Sequence, residues 1–336
     1  MTHELKKLVQ AYIEAQELSL KSVLVTVVAL EGSSYRKPGV RMLVLENGKM
    51  IGAVSGGCVE KEILLQAQSV FKTTVAKVMT YDGRYRLGCE GVLYILLEPF
   101  QPSPLFIETF ANAVKNRESF KISSFFKKEQ IDSIGFGTKI QFQNISLPVS
   151  LKHALNTELL VFEERMSACF RLVIFGSEHD AVILCSMANI MGWEVVIYAN
   201  PLEEKTMHDF PGSTHFHAIA PEMYVPEGID KQTAIVVMNH SYAKDLLFLI
   251  ALKHSNPSYI GILGPAHRRE KLLNELIEKY PEVSDNFINF IYGPAGLNIG
   301  SVTPQEIAVA ILAEILTVTR NEKPMFLRDK ENSFIN

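Results

Sequence analysis

Cysteine is scarce in this chain: four residues in 336, at positions 58, 89, 169 and 185. They are too far apart for a zinc-ligand pattern and too few for a disulfide framework. No apolar run reaches the roughly 20 residues of a membrane-spanning helix. One of the longest, 307–316, is interrupted by Glu314. The opening Met1-Thr-His-Glu-Leu-Lys-Lys has no signal-peptide apolar region. Neither sign of charge dominates, with 33 Lys+Arg against 37 Asp+Glu and a net charge of −4. The concentrated basic excess of a sequence-independent nucleic-acid binder is therefore missing. These absences predict a cytoplasmic protein in a reducing compartment, with no membrane and no nucleic-acid partner.

What is present is ordinary globular material. The hydrophobic share is 47%, enough for two cores at about 150 residues per domain. An apolar stripe at helical spacing marks residues 4–19, and Ser22–Leu30 is a β-branched run that reads as a doubly buried strand. Asn47-Gly48 between two apolar runs signals a hairpin. Ser55-Gly56-Gly57-Cys58 then opens a helix reaching about Val70, and strands follow at 76–81 and 92–97. From Arg171 strands alternate with helices (172–176, 194–198, 234–238 and 258–263 as strands), the grammar of βαβ units. Thr303-Pro304-Gln305-Glu306 is a capping box with proline at the first helical position, starting a helix to about Thr319. The fold class is α/β: an N-terminal α/β domain over 1–168, a doubly wound parallel-sheet domain over 169–322, and a tail over 323–336.

Three places carry chemistry. The first, Gly176-Ser-Glu-His-Asp-Ala181, sits where a dinucleotide-binding G-x-G-x-x-G/A turn belongs. Gly176 and Ala181 keep the strand–helix packing, but Glu178 replaces the glycine that lets backbone approach a pyrophosphate. The next strand ends in Ala199-Asn200-Pro201 rather than in an acidic residue for ribose hydroxyls. The turn thus argues for the fold and against NAD(P), and His179 reads equally as a surface or capping residue or as a ligand contact. The second, Ser55-Gly56-Gly57-Cys58, lies between a strand and a helix N-terminus, where bare N–H groups and the helix dipole favour anions and thiolates. A plain glycine-rich connection with a structural cysteine fits the same residues. The third, Leu87-Gly-Cys89-Glu-Gly91, sets a second cysteine between glycines before a strand, while Arg36, Lys37 and Arg41 bracket Pro38-Gly39.

These segments resemble the XdhC/CoxI family, the accessory factors of xanthine dehydrogenase and related molybdenum hydroxylases. The likeness rests on Gly32-Ser-Ser-Tyr-Arg-Lys-Pro-Gly-Val-Arg-Met42, Gly52-Ala-Val-Ser-Gly-Gly-Cys-Val-Glu60 and Leu87–Gly91. In the second half it rests on Ile174-Phe-Gly176, Val236–His240, Tyr259–Gly264 and Gly293-Pro-Ala-Gly-Leu-Asn-Ile-Gly300 with Thr303–Ala308. The chain departs from the family's usual Gly-Ala-Gly-His at Ser177 and Glu178, and from its usual Cys-Gly-Gly at Glu90. The resemblance implies a Rossmann-like C-terminal domain, a homodimer, and a chaperone that binds molybdenum cofactor (molybdopterin). Such a chaperone supports the cofactor's sulfuration by a cysteine desulfurase and passes it to an apo molybdenum hydroxylase. In that setting Cys58 and Cys89 are expected to face the metal end, since thiolates suit soft centres. Ser55, Gly56, Gly57, Arg36 and Arg41 are expected at the anionic end, with Gly176 and His179 as further contacts. The alternative from the residues alone is an NAD(P)-linked oxidoreductase using the second domain, with His179 or His240 as acid/base.

Overall fold

The structure is a computed structural model that describes residues 2–34, 37–55, 57–85, 91–150, 156 and 158–329, with Cys58 and Tyr85 described by their backbone only. The chain divides into two compact units, Met1–Cys169 and Phe170–Asn336.

The first unit opens with α1 (Thr2–Glu17), β1 (Ser22–Glu31), β2 (Arg41–Leu45), β3 (Met50–Gly52), α2 (Cys58–Thr73), β4 (Lys77–Asp82) and β5 (Val92–Pro99). The five strands form an antiparallel sheet in the order β3-β2-β1-β5-β4. Because side chains alternate along a strand, β1 serves two cores. Val23, Val25 and Val27 pack with Val59, Ile63, Ala67 and Val70 of α2. Leu24 joins Leu43, Leu45 and Phe100 against α1. The Asn47-Gly48 turn forms as expected, with Gly48 at φ +87° and its N–H donating to Leu45 O at 2.9 Å.

The stretch beyond Pro99 continues with α3 (Pro104–Lys115), β6 (Phe120–Phe126), β7 (Gly137–Gln141), β8 (Ser146–Pro148) and β9 (Leu160–Met166). Its strands make a second antiparallel sheet, β8-β7-β6-β9. Phe106, Phe110, Phe120 and Phe142 fill the space between this sheet, α3 and the Leu24 face of the first sheet.

The second unit holds β10 (Arg171–Phe175), α4 (His179–Ile190), β11 (Glu194–Ala199), β12 (His215–Ala218), β13 (Thr233–Val237), α5 (Tyr242–Leu252), β14 (Tyr259–Ile262), α6 (Ala266–Lys279), α7 (Asp285–Asn289), β15 (Ile291–Tyr292) and α8 (Pro304–Thr319). All paired strands run parallel in the order β12-β11-β10-β13-β14-β15. Counted from β10, that is the 3-2-1-4-5-6 order of a Rossmann sheet. α4 and α8 cover one face and α5 and α6 the other, so the sheet is doubly wound as the sequence predicts. Among the described residues no helix is long and apolar enough to cross a membrane.

Candidate functional site

Strand register decides which loops of the first unit meet. Glu31, at the end of β1, pairs with Val92 at the start of β5. Asp82, at the end of β4, pairs with the same Val92. Gly52, at the end of β3, pairs with Met42, and Arg41, at the start of β2, pairs with Thr26 at the middle of β1. The segments after β1, after β3 and after β4 therefore all leave one end of the sheet, and the N-terminus of α2 opens at that end. Two of these segments touch at their roots. A Cβ on Gly91 would lie 2.6 Å from Ser33 O and 2.9 Å from Glu31 O, and the Gly83 N–H donates to Gly91 O at 3.0 Å.

Arg36, Gly56 and Cys89 lie outside the described residues, as does the side chain of Cys58. The remaining expected residues have definite places. Gly57 is the N-cap of α2 at φ +119°, and a Cβ there would meet nothing within 4 Å. Its N–H is not free for a guest, however: it donates to Glu60 Oε2 at 3.0 Å and to Ser55 Oγ at 3.1 Å. Glu60 Oε1 also accepts the N–H groups of Val54 at 3.1 Å and Ser55 at 2.7 Å, and the Ser55 hydroxyl donates to Oε2. The helix's own third residue thus fills the anion position of the turn. Burial alone would raise the Glu60 pKa; the hydrogen bonds from Ser55 and Gly57 outweigh it and hold the carboxyl below its ordinary value. Sequence reading missed Glu60, although Glu three positions after an N-cap is a capping signal.

Arg41 is buried and ion-paired within the first unit. Its side chain is 5% exposed and its Nη1 donates to Glu164 Oε2 at 2.8 Å and to Gly39 O at 2.9 Å. Nearer the loop tips, Glu31 accepts from Lys128 Nζ at 2.7 Å and from the Tyr94 hydroxyl at 3.2 Å, and Arg84 pairs with Asp82 at 2.6 Å.

In the second unit Gly176 has φ +141°, and a Cβ would come within 2.7 Å of Met238 O. The glycine is therefore required by the close pass of the β10 turn and the end of β13. His179 is exposed at the first position of α4. Residues that follow the carboxyl ends of β10, β11 and β13 meet at Glu203, which the sequence did not single out. Its carboxylate accepts from the Ser177 hydroxyl and from Lys244 Nζ at 2.7 Å. Burial works to raise the Glu203 pKa, but the bonds from Lys244 and Ser177 lower it overall. This bridge spans the β10–β13 switch point, where Rossmann sheets take their ligands.

Comparison with known proteins agrees in both units. Residues 172–315 match the XdhC Rossmann domain and residues 16–82 match the XdhC and CoxI family. A relative from Bacillus subtilis (strain 168), named as a probable subunit of xanthine dehydrogenase, is 29% identical over 327 residues, covering 92% of this chain and 96% of that protein. The molybdenum cofactor insertion chaperone PaoD of Escherichia coli (strain K12) is 26% identical over 333 residues, covering 96% and 91%. A crystal structure from Bacillus halodurans, described as a xanthine dehydrogenase, superposes with a TM-score of 0.76 at 24% identity, over 94% of this chain and 96% of that one. The strand order, the glycine-rich turn before α2 and these matches lead to one conclusion: the chain belongs to the XdhC and CoxI family.

Proposed function

We propose that this chain takes up molybdenum cofactor as cargo and delivers it to an apo hydroxylase of the xanthine dehydrogenase type, rather than turning over a substrate of its own. The observation that carries the reading is the shared exit of three segments at one end of the first sheet, two of them bearing Cys58 and Cys89 in sequence. The name of the Escherichia coli relative, a molybdenum cofactor insertion chaperone, supports the same class of role. Thiolates suit a soft, oxidisable metal centre, and two ligands on loops release a guest more readily than a closed cage. The cargo's phosphate finds the N–H groups around Ser55 and Gly57 occupied by Glu60, so in this reading Arg36 and Lys37 of the neighbouring loop neutralise it. Docking of a cysteine desulfurase, homodimer formation and a cytoplasmic setting belong to the same proposal.

The test is anaerobic loading. Purified protein is incubated with molybdenum cofactor and passed through gel filtration, and the protein peak is assayed for pterin and molybdenum. Wild type is expected to retain both, and Cys58→Ala and Cys89→Ala to lose about tenfold in affinity, the effect of roughly 1.4 kcal/mol of lost ligation. Equal retention by all three proteins would remove the thiols from the site. No retention by wild type would remove the cargo.

A further inference from the structure

The face of the first sheet that carries Leu24 is not wholly apolar. Thr26, Arg41 and Glu98 share it, between the apolar cluster around Phe100 and a second cluster of Val28, Val78, Leu96, Phe126 and Phe136. A buried arginine and glutamate are costly unless fully partnered, and here the partnering is incomplete. Glu98 is 2% exposed, and among the described residues its carboxyl bonds only across to β7: the Thr138 N–H donates to Oε2 at 2.8 Å, and the Thr138 hydroxyl shares a 2.5 Å bond with Oε1. Thr138 Oγ1 lies in turn 2.8 Å from Ser124 Oγ on β6. Arg41 uses Nη1 alone, on Glu164 of β9 and on Gly39 O. Among the described residues its Nε and Nη2 are buried without a partner, as is Thr26 Oγ1 on the adjacent strand. Nε–H and Nη2–H form the edge of a guanidinium that grips a carboxylate with two bonds.

We infer that Glu98, Arg41 and Glu164 form a proton-operated clasp that positions Gly39, where the chain enters β2. With Glu98 protonated, its carboxyl O–H donates to Thr138 Oγ1, which donates on to Ser124, and Arg41 stays on Glu164 and Gly39 O. When the Glu98 proton leaves to solvent, the Thr138 and Ser124 hydroxyls reverse, and the carboxylate draws the unused edge of Arg41. Arg41 then loosens its hold on Gly39. Among the described residues, the charged group that acts on Glu98 is Arg41 from β2, itself paired with Glu164 of β9, while β7 offers the Thr138 hydroxyl and N–H and β6 the Ser124 hydroxyl behind them. Arg41 already interacts electrostatically with Glu98, and burial places the Glu98 pKa at about 7, in the range where such a clasp would operate. Gly39 is a tight point of contact: a Cβ there would come within 2.9 Å of Glu164 Oε2. Arg41 is thus a positioning residue for Gly39 and the chain entering β2. The clasp itself does not depend on the cargo reading.

Amide hydrogen exchange of the full chain between pH 6 and pH 8, corrected for intrinsic exchange, tests this on peptides covering 37–44. The Gly39 N–H, which donates to Val27 O at 2.9 Å, is the reporter. Wild type is expected to lose about tenfold in protection across that interval, the equivalent of one pKa unit of coupling, and Glu98→Gln to show no pH dependence. A flat wild-type profile overturns the clasp, and so does an unchanged slope in Glu98→Gln. Should that variant not fold, wild type still decides by NMR. The Glu98 carboxyl carbon and the Arg41 Nε resonance are expected to titrate with one shared midpoint, and separate midpoints overturn the coupling.

Discussion

Glu60 and Gly57 meet across the first turn of α2, the carboxylate accepting the glycine N–H at 3.0 Å. An internal anion therefore occupies ground that glycine-rich turns before helices otherwise offer to phosphates. The second unit repeats the device with different residues, since Glu203 is held by Ser177 and Lys244 at the mouth of the Rossmann turn. In each unit a glutamate of the chain settles charge that a bare turn would leave for a ligand.

Replacing Glu60 by Ala takes the side-chain acceptor from the N–H groups of Val54 and Ser55 and leaves Gly57 with Ser55 Oγ alone. The expected loss in urea unfolding is about 2 kcal/mol, on the scale of a lost cap with its charge-assisted bonds. The pH dependence follows from the lowered pKa. Glu60 contributes stability above its unfolded value, and that contribution is lost as pH falls through the folded one. The gap between wild type and variant should narrow on acidification; a gap that widens toward low pH contradicts the assignment.

Glu203 bears on the oxidoreductase alternative. A dinucleotide entering the switch point meets a carboxylate already bridged to Lys244, with Glu178 at the turn. Titration of wild type with NADH or NADPH, followed by fluorescence, should show no saturable change at micromolar concentrations. Tight binding would restore the reading that Glu178 and the non-acidic end of β11 argue against.

Periodicity made most of the fold legible. The β-branched run of β1 and the capping box at Thr303 predict elements that the structure places within a residue or two. The short or strongly polar elements were not legible. β12 is a four-residue edge strand containing two histidines, and α6 carries its few leucines among many charges. The candidate site was legible as residue types and as loop positions at strand ends. It was not legible as hydrogen bonds, because the acceptors of its donors come from elsewhere in the chain. Glu164, 123 residues from Arg41, carries no local signal of that pairing.

Gly176→Ala tests the turn that the sequence did identify. The methyl group would have to share space with the Met238 carbonyl at 2.7 Å while the backbone keeps φ +141°. Strain and overpacking together are expected to cost about 2–4 kcal/mol, read as a fall in the thermal midpoint of the second unit. A midpoint unchanged from wild type means that the β10 turn and the end of β13 leave room for a methyl group.

Cys185 should behave as a core residue and not as a thiol reagent. It is fully buried on α4, and burial pushes its thiol up to about 12. At pH 8 the thiolate fraction is on the order of 10⁻⁴. Iodoacetamide should leave the Cys185 peptide unmodified in native protein and label it in urea, as read by mass spectrometry. Equal labelling in both conditions would place Cys185 outside the core.

Glu98 sets the pH profile of the first unit with the opposite sign to Glu60. Its folded pKa is about 7 against an ordinary 4.5, because burial disfavours the charged form more than Thr138 and Arg41 favour it. Between those values the folded chain keeps a proton that the unfolded chain releases, so stability falls as pH rises from about 4.5 through 7. The full difference is on the order of 3 kcal/mol at about 1.4 kcal/mol per unit. Glu98→Gln keeps an acceptor for the Thr138 N–H but cannot ionise, so it should flatten this decline and match or exceed wild type above pH 7. Chemical denaturation at pH 5, 6, 7 and 8 reads the two slopes. Parallel slopes would mean that Glu98 keeps the same charge in the folded and unfolded chain.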